Sequence, residues 1–275
     1  KALIKLVSEF SQIFGSDRLC AISRAPARVN LMGRHIDHQG GFINTATINK
    51  EILLAFSPSK KGNIYIKNTN NHLFPEKNLS PHTLLNFSSY ADWNDLTTSS
   101  EVKKINQKFK GDWSLYILAV YARLQIFFPD NKLKGFDGLV SGNIPIGSGL
   151  SSSAALIVAF AKALIHANNL QLSDKLLIEL TGKCELFLGI RSGMGDQAAI
   201  ISGRYGSINK IGFYPFHIAK TYPMPDNIHI IIAFSGQSAK KGEGAQSAYN
   251  QHVASYAIGF KMLQQFWPSS RKVDH

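Results

Sequence analysis

The segment GNIPIGSGLSSSA, residues 142–154, carries more information than any other part of this sequence. It combines three glycines with three consecutive serines directly before an apolar run. Glycines let backbone amides turn toward an anion, serines add hydroxyl donors and a metal ligand, and a following helix adds its positive dipole end. The stretch therefore predicts a phosphate-binding loop. It is not a Walker loop, because that motif ends in Gly-Lys-Ser or Gly-Lys-Thr and no lysine lies between Gly142 and Ala161.

The segments on either side of this loop predict a strand and a helix. Residues 136–141 read FDGLVS, a short strand-like run, and residues 154–165 read AALIVAFAKALI, an apolar run with small residues. A Gly/Ser-rich stretch taken alone is also typical of a flexible connection. Because a linker is not expected between two buried elements, the order strand, glycine loop, helix favours an anion-binding arrangement.

Length and composition are those of a globular protein with one large or two modest domains. With 275 residues, 44% of them hydrophobic, the chain can bury a large core, and no apolar run approaches the roughly 20 residues of a bilayer span. The two cysteines, Cys20 and Cys184, lie far apart without metal-site spacing, which favours a reducing cytoplasm. We place a domain change near residues 204–215 and divide the chain into residues 1–207 and 208–275.

The net charge of +12 raises the possibility of a nucleic-acid partner. The lysines and arginines are scattered, however, and no basic run is interleaved with stacking aromatic residues. An acidic small-molecule ligand fits the charge as well, so we expect neither a nucleic-acid nor a membrane partner.

Two further segments have clear periodic patterns. Apolar residues at helical spacing predict an amphipathic helix from residue 2 to near Gly15. Residues 228–234 form the densest short apolar run, interrupted by His229, and predict a buried strand.

A second polar cluster follows a strand-like segment near the start of the chain. Residues 24–41 read RAPARVNLMGRHIDHQGG, an apolar strand that runs into a turn with four polar residues: Arg34, His35, Asp37 and His38. The residues alone leave open a ligand site or a charged hairpin end. A metal site is disfavoured, because a strand turn rarely points three adjacent side chains at one ion.

A third segment, residues 189–197, reads GIRSGMGDQ and carries a single aspartate after a glycine-rich turn, at the end of a helix predicted over residues 175–188. Together with SGQSAKKGEGAQSAYNQH, residues 235–252, these segments resemble in order and spacing the signature motifs of the GHMP small-molecule kinases, in particular the galactokinase branch. The resemblance covers nearly the whole chain. It implies an α/β (α+β) protein with two domains, the first ribosomal-protein-like and the second ferredoxin-like, which meet at a cleft for sugar and ATP.

The activity that this resemblance implies is ATP-dependent phosphorylation of the anomeric hydroxyl of a monosaccharide. Asp196 aligns with the catalytic aspartate, which accepts or orients the hydroxyl proton, and Arg28 aligns with the arginine beside it that stabilises transferred charge. The resemblance also implies sugar contacts from His35, Asp37 and Tyr249, and a backbone amide of Gly193 near Asp196.

The resemblance places ATP and magnesium at the glycine loop. The expected ATP-binding residues are Gly147, Ser148, Gly149, Leu150, Ser151, Ser152 and Ser153. Ser153, directly before the alanine of the motif, is the implied Mg²⁺ ligand. The carboxylate that accompanies it in galactokinases falls here at Cys184, with Glu185 one place later. Either a small helix adjustment lets Glu185 serve, or Ser153, water and phosphates hold the ion and Glu185 is a surface helix residue.

Residues 33–56, GRHIDHQGGFINTATINKEILLAF, look closest to plant galacturonate kinases, which share the HIDHQGG turn and the TINK strand. Galactokinases carry a glutamate in place of Arg34, which by resemblance contacts the hydroxyl on the sugar's sixth carbon; plant galacturonate kinases carry a small residue. An arginine suits a bidentate carboxylate, which a uronic acid carries on that carbon. We therefore expect a uronic acid such as galacturonate as substrate.

Several alternatives stay open from the sequence. Within enzymes, galactose or an amino sugar is the alternative substrate. A non-catalytic sugar and ATP sensor is the alternative of another class, which the intact serines at 151–153 disfavour. A third glycine-rich motif of the family is not found after Tyr249, so we expect the second domain to be truncated. We expect a monomer or homodimer.

Overall fold

A seven-stranded mixed sheet organises the chain in a computed structural model that describes residues 1–59, 62–236 and 243–266. The strands are β1 (Ala21–Met32), β2 (Phe42–Pro58), β3 (Ile64–Asn68), β4 (Lys77–Leu79), β5 (Phe136–Gly142), β6 (Ser207–Gly212) and β7 (His217–Pro223). The order is β4-β3-β5-β2-β6-β7, with β1 paired to the other edge of β2. Only β3 and β5 pair in parallel among these strands. The predicted α/β class is confirmed.

The long strand β2 sets the position of every loop discussed below. One of its edges pairs with β1 over most of its length, and its other edge is divided between two strands. Residues 42–45 pair with β6, whereas residues 52–58 pair with β5. The sheet therefore divides between residues 46 and 51, and Arg28 of β1 lies opposite Thr47 at this division.

Helices cover both faces of the sheet. They are α1 (Ala2–Phe14), α2 (Pro81–Leu84), α3 (Trp93–Thr98), α4 (Ser100–Lys108), α5 (Ser114–Phe127), α6 (Ser152–Ala167), α7 (Asp174–Gly182), α8 (Gly195–Ser202) and α9 (Glu243–Phe266), with short 3-10 turns at Asp37–Gln39, Phe87–Ser89 and Cys184–Leu188. Alternate residues of β2 divide between the faces, as a strand requires. Leu54 and Phe56 enter the large core with α5 and α6, whereas Leu53 and Ala55 pack against α1.

The expected elements around the glycine loop are present. Helix α1 ends before Gly15, and β5 and α6 flank the loop as the sequence predicts. The prediction of one helix over residues 175–188 is wrong at its C-terminal end, because α7 ends at Gly182 and the chain continues as a 3-10 turn. A Cβ at Gly182 would lie 2.5 Å from the Cβ of Met194, so this point of the chain is packed directly against the segment before α8.

The prediction of a buried strand over residues 228–234 is wrong. The segment forms no regular element, and Ile231 is 90% exposed. Within the described chain no strand lies beside it to accept its backbone groups. Strand β6 begins at Ser207, so the sheet runs across the boundary expected between residues 207 and 208. The division into two domains stays a prediction. None of the helices in the described ranges combines the length and the hydrophobicity needed to span a membrane.

Candidate active site

The glycine loop, defined here as residues 143–151, connects β5 to α6 and is bent by left-handed residues. Gly147, Gly149 and Ser151 have φ values of 69°, 74° and 63°, and they alternate with residues of ordinary conformation. Successive amides in such an alternation form a concave surface that attracts anions. Buried Leu150 anchors the loop, whereas no atom lies within 4 Å of the position a Cβ would take at Gly149. The loop thus offers open backbone at the start of a helix, where phosphate groups bind favourably.

Asp196 lies in the first turn of α8 and forms an ion pair with Arg28 of β1. Its Oδ1 accepts hydrogen bonds from Nε of Arg28 at 2.9 Å and from Nη2 at 2.6 Å. Its Oδ2 accepts a hydrogen bond from the hydroxyl of Ser151. The Arg28 side chain is 14% exposed and that of Asp196 is 42% exposed, so the cation is largely covered while the carboxylate is partly accessible to solvent.

Arg28 also joins the ion pair to the glycine loop. Its Nη1 donates to the carbonyl oxygen of Gly149 at 2.8 Å, and its backbone N–H donates to the carbonyl oxygen of Leu150 at 3.4 Å. One arginine therefore contacts both the carboxylate and the loop. A fixed cation in that position can stabilise negative charge that moves between them.

The turn between β1 and β2, residues 33–41, packs against the segment that leads into α8. Asp37 accepts a hydrogen bond at Oδ2 from the backbone N–H of Gly195 at 2.9 Å. Gly193 faces the same carboxylate so closely that a Cβ there would lie 2.0 Å from Oδ2. A side chain at position 193 would therefore displace the Asp37 carboxyl group. The carboxyl group is largely covered, with 15% of the side chain exposed.

Aromatic rings close this side of the site. The ring centroid of Tyr249, in α9, lies 5.8 Å from that of His35 and 6.4 Å from that of His38. Burial, followed by the charge of Asp37, raises the pKa of Tyr249 to about 12, so its hydroxyl stays a hydrogen-bond donor at neutral pH. Burial, followed by the charge of Arg34, lowers the pKa of His35. Arg34 itself is exposed on the turn.

Ser153 and Glu185 form a second oxygen-rich pair at the same end of α6. The Ser153 hydroxyl donates to Oε1 of Glu185 at 3.1 Å, and Glu185 is only 8% exposed. The 3-10 turn directs Glu185 toward Ser153, while Cys184 lies in the core with its Sγ against the Leu180 carbonyl. A hydroxyl and a buried carboxylate are donors that suit a hard cation such as Mg²⁺. Within the described ranges, no three His, Cys, Asp or Glu side chains cluster as metal ligands.

Asn250 is a contact residue of this region that the sequence did not single out. Its Nδ2 donates to the carbonyl oxygen of Gly189 at 2.8 Å, and its Oδ1 accepts from the backbone N–H of Arg191 at 3.1 Å. It lies beside Tyr249 in the motif of residues 235–252, and this neighbour was the one feature of the sequence that could have indicated it. Residues 237–242 of that motif, and the tail from residue 267, lie outside the described residues.

The structure thus brings together most of the residues singled out in the sequence. Arg28 and Asp196 meet at the glycine loop, Asp37 meets Gly193, and Ser153 meets Glu185. Two residues have contacts other than those expected. Ser151 donates to Asp196, and Gly193 faces Asp37.

Comparison with known proteins finds two family models, one that covers the glycine loop and Asp196 and one that covers the β1–β2 turn. Residues 116–204 match the GHMP kinases N terminal domain, and residues 8–58 match the galactokinase galactose-binding signature. The chain is 30% identical to a galactokinase of Candida albicans over 94% of its own length and 48% of the relative's. It is 32% identical to a galacturonokinase of Arabidopsis thaliana over 87% of its own length and 55% of the relative's. It therefore spans about half the length of these curated relatives.

The fold agrees with these matches. The crystal structure of Lactococcus lactis galactokinase complexed with galactose superimposes with a TM-score of 0.73 at 23% identity, over 98% of this chain and 63% of that one. The glycine loop, Asp196 and Glu185 all lie within residues 116–204, and the β1–β2 turn lies within residues 8–58. The chain therefore contains a GHMP kinase N-terminal domain together with the galactokinase galactose-binding signature.

Proposed function

We propose that the protein transfers the terminal phosphate of ATP to the anomeric hydroxyl of a monosaccharide, and that its preferred substrate is a uronic acid such as galacturonate. One observation carries this proposal: the Arg28–Asp196 ion pair lies directly on the glycine loop. A proton acceptor, a fixed cation and an anion-binding backbone thus meet at one end of α6. Phosphoryl transfer depends mainly on such positioning and charge stabilisation.

In the proposed reaction, the sugar's anomeric oxygen attacks the terminal phosphorus of ATP and forms the new P–O bond. The bond between that phosphorus and the bridging oxygen breaks, and ADP leaves with the electron pair. Asp196 accepts or orients the hydroxyl proton as the oxygen attacks. Arg28, which contacts both Asp196 and the loop, stabilises the charge that passes between them.

The glycine loop is the proposed site for the phosphates of ATP. The left-handed residues Gly147 and Gly149 turn the backbone into a concave surface, and α6 begins directly after it. The helix contributes partial positive charge at this end. Ser148, whose hydroxyl donates to the Pro145 carbonyl at 2.7 Å, supports the bend of the loop.

The proposed Mg²⁺ ligands are Ser153 and Glu185, which lie within hydrogen-bond distance of each other. When bound, the ion would neutralise charge on the last two phosphates.

The proposed sugar site is the space bordered by the β1–β2 turn and Tyr249. His35, Asp37 and Tyr249 offer polar atoms for ring hydroxyls, and Arg34 is the proposed partner of a carboxylate on the sixth carbon. Galactose is the alternative substrate. A galactokinase and a galacturonokinase are similar to this chain at 30% and 32% identity, so the choice between sugars rests on Arg34.

We further propose a cytoplasmic monomer or homodimer without a nucleic-acid partner. Cys20 and Cys184 are both free thiols, which supports a reducing compartment.

The test measures ATP turnover with Mg²⁺ against galacturonate, glucuronate, galactose and N-acetylgalactosamine. The wild-type protein is compared with Arg34→Gln and Arg34→Glu. The matched control is Arg24→Gln, which removes an exposed arginine of β1 that pairs only with Glu51 among the described contacts. Binding of ATP is measured in parallel for each protein.

The expected result is preferential turnover of galacturonate, with kcat/KM for it reduced by about tenfold or more in both Arg34 variants. The control should keep the wild-type profile. Preference for galactose in the wild type would overturn the uronate assignment and leave the kinase in place. ATP binding without turnover of any sugar would overturn the kinase assignment and favour a sensor.

A further inference from the structure

Ser151 occupies the N-cap position of α6 and does not cap that helix. Its backbone lies at φ 63° and ψ 48°, and its side chain makes no hydrogen bond to the first turn of α6. An N-cap serine ordinarily has an extended backbone and accepts a hydrogen bond from the second or third amide of its helix. Ser173 does this at the start of α7, where it has φ −71° and accepts from the Leu176 N–H at 3.3 Å.

The hydroxyl of Ser151 is directed to Asp196 instead. It donates to Oδ2, the carboxylate oxygen that Arg28 does not contact among the described hydrogen bonds. Asp196 is consequently held from both sides, by Arg28 of β1 through Oδ1 and by Ser151 through Oδ2. Two contacts on different oxygens fix the plane of the carboxyl group, which one contact would leave free to rotate.

The left-handed backbone of Ser151 would favour glycine, which indicates that the serine is present for its hydroxyl. Among the described residues, only four that are not glycine have positive φ: His35, Ser151, Asn169 and Tyr214. Glycine adopts this conformation without steric cost, and the loop already uses it at positions 147 and 149. Serine at 151 gains nothing from the backbone and nothing from capping, so the contact with Asp196 is what the side chain contributes.

We propose that Ser151 is a positioning residue for phosphoryl transfer, whose hydroxyl fixes the orientation of the Asp196 carboxylate toward the sugar hydroxyl. This inference rests on the proposed function and gives Ser151 a role other than holding the phosphates of ATP. Because it acts through Asp196, its loss should slow the chemical step and leave the binding of ATP and sugar nearly unchanged.

The test uses two variants that lack the hydroxyl and differ in their backbone. Ser151→Gly removes the hydroxyl and relieves the left-handed strain, whereas Ser151→Ala removes the hydroxyl and keeps that strain. The control is Ser173→Ala at the ordinary cap of α7, which should lower the thermal midpoint by about 2–4 °C without changing turnover. Turnover, KM for ATP and sugar, and thermal midpoint are measured for all four proteins.

We expect both Ser151 variants to lose between about tenfold and a hundredfold in kcat with KM values within about twofold of wild type. The glycine variant should be at least as stable as wild type, which separates the loss from unfolding. Normal kcat in Ser151→Gly, or a raised KM for ATP with normal kcat, would overturn the inference alone. A wild-type protein that binds ATP and phosphorylates no sugar would overturn the proposed function and the inference with it.

Discussion

The two ends of helix α6 are built in opposite ways. At the C-terminal end, the Asn168 side chain donates to the carbonyl oxygens of Leu164 and Lys134 and accepts from the Lys134 N–H, so local polar groups are paired within the chain. At the N-terminal end, the preceding residue is left-handed, no side chain caps the helix, and polar atoms are directed toward Arg28 and Asp196. Both ends belong to one continuous helix, so the helix propensity of its residues does not explain why one end is paired and the other is not. Locally unfavourable geometry of this kind is common at active sites, which agrees with the site proposed at the N-terminal end.

The largest expected effect comes from the middle of this helix, which belongs wholly to the core. Phe160 is fully buried and stacks on Phe136 with ring centroids 5.8 Å apart. Phe160→Ala should lower the free energy of unfolding by about 3–5 kcal/mol, because it leaves a cavity between α6 and the sheet. Urea denaturation measures this. Phe160→Leu, which keeps most of the volume, is the control and should lose much less; equal losses would contradict the cavity explanation.

At the N-terminal end, Asp196→Asn should act on turnover instead of stability. The amide still offers an oxygen to Arg28 but cannot accept a proton, so kcat should fall by at least about a hundredfold. ATP affinity and the thermal midpoint should change little. Steady-state kinetics and equilibrium ATP binding check this expectation. Near-normal turnover would remove Asp196 from the role of base.

At the C-terminal end, Asn168→Ala should lower the free energy of unfolding by about 1 kcal/mol and leave turnover unchanged, because the hydrogen bonds that it removes, to Leu164 and Lys134, lie away from the proposed active site. Asn169→Gly is the matched control, since Asn169 has φ 52° and glycine accepts that conformation without cost. Loss of turnover in Asn168→Ala without loss of stability would show that the two ends of α6 are not functionally separate.

The smallest expected effect is a titration at the β1–β2 turn. Burial, followed by the charge of Arg34, lowers the pKa of His35 below its ordinary value of 6.5. The unfolded chain therefore binds this proton more readily, so the contribution of neutral His35 to stability is present above about pH 6.5 and is lost as pH falls through the folded-state pKa. NMR titration should find the pKa below 6.5, and higher in Arg34→Gln. A wild-type value at or above 6.5 would contradict the assignment.

The features that could be predicted from the sequence are those that depend on residues close together in the chain. The order β5, glycine loop, α6 follows from local composition, and the structure reproduces it. The pairing of Arg28 with Asp196 joins residues 168 positions apart, so the motif resemblance alone suggested it. Which of three consecutive serines would be left-handed, and where its hydroxyl would point, cannot be derived from their composition.

Two predictions were wrong because a local sequence pattern carries no information about contacts between distant parts of the chain. A continuous helix over residues 175–188 assumes 100° per residue, whereas the tighter turn after Gly182 advances the chain differently and directs Glu185 to Ser153. The apolar run at 228–234 predicts burial by composition, but burial requires a neighbour to pack against, and most of this run is exposed in the described structure.

The contact between Asp37 and Gly193 couples the β1–β2 turn to the segment that leads into α8. The carboxyl group occupies the space above Gly193 and binds the amide of Gly195, the residue directly before Asp196. A displacement at the turn that is expected to hold the sugar is thus transmitted to the backbone that carries the expected base. Substitutions at positions 37 and 193 should consequently be non-additive in a double-mutant cycle, since either one alone already disturbs the shared contact.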